Sequence, residues 1–143
     1  MRDSRIIQVV TFIFFILVAP ASAQVVALGA SNTEGHGVSS SESYPAQLQA
    51  MLQARGSGLR VTNAGVYGDT TSGMLARLSS AVPESTKIVI LQFGGNEFRR
   101  NICLDLRQAN IVSIQQQLRQ RGIRIIQADG LGRLGLFNQI MFT

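Results

Sequence analysis

Four short apolar runs, separated by stretches with helical spacing, constrain this chain more than any other feature. The runs are Gln24–Leu28, Leu59–Thr62, Lys87–Phe93 and Ile123–Ala128. Between them, residues 44–55 put Tyr44, Leu48, Met51 and Leu52 on one helical face. Residues 71–82 do the same with Met74, Leu75, Leu78 and Val82, and residues 105–121 with Ile111, Ile114 and Leu118. The order is β-α-β-α-β-α-β. Such alternation with short connections predicts a parallel sheet covered by helices on both faces. The run KIVILQF at 87–93 reads as a central strand buried on both sides. Ser43 is the expected N-cap of the first long helix, with Pro45 in its first turn and Gly56 as its stop.

Composition narrows the chemistry. A chain of 143 residues holds one domain, and 45% apolar with 15% charged residues is not the composition of a disordered chain. The single cysteine, Cys103, excludes a disulfide framework, and the single histidine, His36, excludes a multi-histidine metal site. Cys103 is expected to be a buried free thiol. The net charge of +5 comes from scattered arginines without interleaved aromatics, which argues for a solvated surface rather than a nucleic-acid partner.

Residues 1–23 read as a secretory signal. Arg2 and Arg5 form the basic start, Ile6–Ala19 the apolar stretch, and Ala21-Ser22-Ala23 the cleavage site. The stretch is shorter than the ~20 apolar residues that span a bilayer, so no stable membrane span is expected after cleavage. An uncleaved anchor is the alternative. The expectation is an exported protein, periplasmic or secreted, with a working domain at 24–143.

In parallel α/β sheets the working site lies beyond the carboxyl ends of the strands. Three strand-end loops carry candidate residues. The first, Gly29-Ala30-Ser31-Asn32, stands a serine beside a glycine just past a strand. The second runs from Asn63 to Thr70, and its Gly68 can present a backbone N–H to an anion. The third, Gly94-Gly95-Asn96-Glu97, offers two glycines for a sharp turn and an amide donor. Ser31 as nucleophile, with its own N–H, the Gly68 N–H and the Asn96 amide as donors, makes an oxyanion hole for acyl transfer. Taken singly, these are also ordinary turn residues, and Asn96 also suits a helix N-cap. No phosphate-binding glycine motif is present.

Together the three blocks resemble the SGNH (GDSL-type) hydrolases, in particular their secreted arylesterase and thioesterase/lysophospholipase branch, from about Val25 to Ala128. The resemblance implies a flavodoxin-like three-layer α/β/α sandwich. It implies Ser31 as nucleophile, and Gly68 and Asn96 as oxyanion donors. It also implies hydrolysis of small acyl or aryl esters or thioesters without a cofactor. Ala30 and Glu97 stand where the family usually has aspartates, at positions that more often support the loops than do chemistry.

The family's D-x-x-H block, which supplies the triad acid and base, has no match here. Asp129-Gly130-Leu131 reads as the exit of the fourth strand, and His36 as a surface-loop histidine. The expectation is a chain truncated or frameshifted before the family's last strand and helix, or a fragment. Its fourth strand would then be an exposed apolar edge prone to self-association. Loss of the triad base costs on the order of 10⁶ in kcat, and the remaining site keeps roughly 10³–10⁴ over water. Two other readings stay open. One is an inactive pseudoenzyme that at most binds acyl groups, and the other is a flavodoxin-like binding module.

Overall fold

Ile88, Val89, Ile90 and Leu91 are all buried and form the middle of strand β3 (Thr86–Gln92) in the computed structural model, which describes residues 24–128 and 133–142. The proposed signal at 1–23 and the Asp129 segment lie outside the described residues. Strands β1 (Gln24–Gly29), β2 (Arg60–Gly65) and β4 (Arg124–Gln127) complete a parallel sheet in the order β2-β1-β3-β4. The two apolar strands β1 and β3 are therefore central. β2, with most of its residues partly or fully exposed, takes one edge.

Helices cover both faces, as the alternation predicts. On one side lie α3 (Thr71–Ala76), α4 (Leu78–Ala81) and α6 (Leu104–Gln120). They bury Met74, Leu78, Ile111, Ile114 and Leu118 against Val26, Leu28, Val89 and Leu91. On the other side lie α2 (Tyr44–Ala54) and α7 (Arg133–Met141). Leu48, Leu52, Leu136, Phe137 and Ile140 pack there against Val25, Ile88, Ile90 and Ile126. Removing one such side chain, for example Leu118→Ala, costs about 2–5 kcal/mol. Two short helices, α1 (Ser31–Glu34) and α5 (Asn96–Arg99), and a 3₁₀ turn at Ser40–Glu42 complete the chain.

Several boundaries differ from the sequence reading. β2 runs on through Gly65, so Asn63, Ala64 and Gly65 belong to the strand and not to the loop. The helix expected at 71–82 breaks at Arg77, whose side chain is turned to Asp69 and to the Gly29 carbonyl. Ser43 occupies the N-cap position of α2, but its hydroxyl donates back to the Ser40 carbonyl instead of capping. The fourth strand is at the edge of the described sheet, yet its side chains are not an exposed apolar row. Ile123 and Ile126 are buried and Ile125 is half-buried, because α6 and α7 cover the two faces. Only the hydrogen-bonding edge of its backbone is open among the described residues.

The register sets up the site. Gly29 aligns with Gly65 on one side and with Gln92 on the other. Three strands thus end at one level, and the loops that follow them meet in one place.

Candidate active site

Ser31 opens α1 directly after β1. As the first residue of the helix its N–H has no intrahelical partner. Its carbonyl accepts from the N–H groups of Gly35 and His36, which winds the chain tightly behind it. Ala30 before it is buried.

Asn96 begins α5, at the end of the loop after β3. It does not act as a cap. Its Nδ2 donates to the Asp69 carbonyl at 2.7 Å, which ties the third loop to the second and leaves the other amide hydrogen available. The preceding glycines turn the chain, with a bend at Gly95, without either adopting a positive φ. Close approach is the reason for Gly94: a Cβ there would sit 3.2 Å from the Ala30 Cβ and 3.4 Å from Asn96 Nδ2.

Gly68 does adopt a left-handed conformation, with φ at 72°, where other residues are strained. Its carbonyl accepts from Arg100 Nη2 at 2.7 Å, and its N–H has no partner among the described residues.

Ser31 and Asn96 share a cavity of about 130 Å³, lined also by Asn32, Gln92, Gly94 and Arg99. Gly68 is not part of that lining and sits on the neighbouring loop.

The partners that support this arrangement were not visible in the sequence. Glu97 is 1% exposed. Its Oε1 accepts the Thr71 N–H at 2.6 Å, and its Oε2 lies 3.8 Å from Arg107 Nε. Burial works to raise the Glu97 carboxyl. The Thr71 backbone and side chain, the residue's own N–H and the Arg107 charge outweigh it and hold the group below its usual range. The acid after Asn96 is thus a loop brace, as its position suggested. Asp69 pairs with Arg77 Nε at 2.8 Å, and Arg77 Nη2 reaches the Gly29 carbonyl at 3.1 Å. One arginine therefore clamps the first and second loops together.

His36 is exposed, with its ring centroid 4.2 Å from that of Tyr67 at a 40° tilt. Its ring makes no hydrogen bond among the described residues. Cys103 is exposed, not buried as expected, because it falls in the short α5–α6 connection beside Leu104, itself 53% exposed. Among the described residues no group of three or more His, Cys, Asp or Glu side chains converges on a metal position, and no helix is long and apolar enough to cross a membrane.

A parallel α/β/α sandwich with a polar cavity at the carboxyl ends of its strands is the arrangement in which open α/β proteins place their ligand sites. The chain belongs to the GDSL-like lipase/acylhydrolase family, whose sequence model matches residues 27–141. It is 33% identical over 113 residues to the esterase TesA of Pseudomonas aeruginosa, covering 78% of this chain and 56% of that protein. It is 25% identical over 123 residues to an arylesterase of Vibrio mimicus, covering 85% of this chain and 62% of the relative. A crystal structure of TesA superposes with a TM-score of 0.68 at 28% identity, covering 82% of this chain and 69% of that one. The SGNH-hydrolase family esterase AlinE4 gives 0.66 at 30% identity, covering 83% and 68%. The chain thus spans little more than half the length of the curated relatives it matches.

Proposed function

We propose that this chain carries the nucleophile and oxyanion half of a serine acyl-hydrolase site, acting on small acyl or aryl esters or thioesters. The observation that carries the reading is the placement of Ser31 and Asn96 on facing loops of one cavity. Three relatives named as an esterase, an arylesterase and a thioesterase/lysophospholipase support it. No cofactor enters this chemistry.

In this reading the Ser31 Oγ attacks the acyl carbonyl and forms a C–O bond, and the Ser31 proton leaves to a base. The carbonyl oxygen becomes an oxyanion, met by the N–H groups of Ser31 and Gly68 and by the free Asn96 amide hydrogen. Collapse breaks the bond to the leaving alkoxide or thiolate, which takes the proton back from the base to depart as alcohol or thiol, and leaves an acyl-serine. Water then releases the acid and regenerates Ser31. Arg77, Arg100 and Glu97 do none of this. They hold the donor loops in place before substrate arrives.

A second reading is a catalytically inactive chain that binds acyl groups. The solvent-facing His36 ring, stacked on Tyr67 without a hydrogen bond to an acid, favours it. Turnover of p-nitrophenyl acetate separates the two. Turnover that Ser31→Ala abolishes and His36→Ala retains supports the hydrolase reading without His36 as base. Equal background rates for wild type and Ser31→Ala leave only the binding reading. We further propose export of the chain through residues 1–23, tested by following signal cleavage on expression.

A further inference from the structure

We infer that the cavity beside Ser31 holds a carboxylate subsite, built from Arg99 and Gln92, that selects esters bearing a negative charge close to the scissile carbonyl. The substrate class rests on the hydrolase reading above; the subsite itself does not.

The side chains that bring polar groups to the cavity are Ser31, Asn32, Gln92, Asn96 and Arg99, and none is an acid. Two acids on the neighbouring loops are already engaged: Asp69 by Arg77, and Glu97 by Thr71 and Arg107. Of the two adjacent arginines, Arg100 is committed to the Gly68 carbonyl. Arg99 lines the cavity, and its guanidinium has no hydrogen bond or ion pair among the described residues. A planar fork of donors suits a carboxylate, which accepts two parallel N–H bonds.

Gln92 supplies a second donor. Its Oε1 accepts from the Thr33 hydroxyl at 2.7 Å, and Thr33 is fully buried. The Gln92 side chain lines the cavity, and its amide nitrogen has no hydrogen-bond partner among the described residues. The same hydroxyl lies 3.5 Å from the Tyr44 hydroxyl, so the anchor reaches into the helix layer. The cavity therefore meets an incoming group with a fixed amide donor and an unneutralised cation. At about 130 Å³ the cavity is smaller than the roughly 150 Å³ that takes up benzene, so it holds the carboxylate end of a small ligand and leaves the rest at its open mouth. A small carboxylate such as benzoate is a suitable probe.

The test is an NMR titration of the full chain with benzoate and with its neutral counterpart benzamide. Wild type is expected to bind benzoate in preference to benzamide, more weakly as salt is added. Arg99→Ala should weaken benzoate at least about tenfold, the effect of losing a charge-assisted pair, and Arg99→Lys should recover part of it. Arg119→Ala, which removes the same charge on the far helix α6, should leave benzoate binding unchanged. The readout is ligand binding and not turnover, so a failed hydrolase reading and a failed subsite give different results. The inference is overturned if benzoate shows no saturable binding, if benzamide binds equally, or if Arg99→Ala and Arg119→Ala behave alike. It is likewise overturned if only Asn96→Ala weakens benzoate, which would put the carboxylate in the oxyanion hole.

Discussion

Replacing Glu97 by alanine should damage the chain out of proportion to the size of the side chain. Glu97 is the sole acceptor for the Thr71 N–H among the described residues, at 2.6 Å, and Thr71 is 2% exposed. Without it that N–H is buried and unpaired, which costs about 1–3 kcal/mol. Loss of the packed side chain and of the Arg107 contact at 3.8 Å brings the expected total to about 3 kcal/mol. For a domain of this size that lowers Tm by about 8 °C. Glu97→Gln keeps the acceptor oxygen and loses only the charge, so about 1 kcal/mol is expected. Urea unfolding followed by circular dichroism measures both. The pH dependence has a definite sign. The folded carboxyl titrates below its ordinary 4.5, so the native state binds fewer protons than the unfolded one. The gap between wild type and Glu97→Gln should be constant above that value and close as the pH falls through the folded pKa. An alanine variant within about 0.5 kcal/mol of wild type, or a gap that widens on acidification, would refute the reasoning.

Other expectations follow from the same geometry. Asn96→Ala should lower Ser31-dependent ester turnover by about 10²–10³, and also destabilise by about 1 kcal/mol through the lost Asp69 bond, read by kinetics and melting together. Gly68→Ala forces a Cβ into the left-handed region, 3.2 Å from Arg100 Nη2, and should cost about 1 kcal/mol while reducing turnover further than stability alone explains. Cys103 is exposed, and the backbone N–H groups of Leu106 and Asp105 lower its thiol pKa, so a disulfide reagent should label it in the native chain; protection until unfolding would contradict this. The open backbone edge of β4 should pair with a second copy, giving a concentration-dependent oligomer by light scattering; a monomer at every concentration with a cooperative melt would refute that.

Much of the fold was legible because burial leaves a pattern. β1 and β3 lie in the middle of the sheet, so Val25–Leu28 and Ile88–Leu91 are apolar without interruption. The helix faces of α2 and α6 repeat at 3.6 because one side of each is buried. β2 is half-exposed, so Asn63-Ala64-Gly65 carries no large apolar residue to mark it as strand. Helices of four residues such as α1 and α5 are too short to show a period. The split at Arg77 was equally hidden, since its Asp69 and Gly29 partners come from other loops.

The candidate site was legible only in outline. Ser31 and Asn96 could be picked out because each follows a strand, and parallel strands end together. What fixes the loops could not, because each link joins residues far apart in sequence: Thr71 to Glu97, Gly68 to Arg100, Thr33 to Gln92. Such contacts have no local signature. Cys103 was misplaced for a related reason. Free cysteines are usually buried, but this one falls in a connection that runs over the surface.

Ser31 is the proposed nucleophile, and incubating the intact chain with a fluorophosphonate probe and mapping the adduct by mass spectrometry tests that role. A phosphonylated peptide containing Ser31 is expected, absent from Ser31→Ala and still formed in His36→Ala. No adduct on the folded chain, or an adduct on another serine that survives Ser31→Ala, would contradict it.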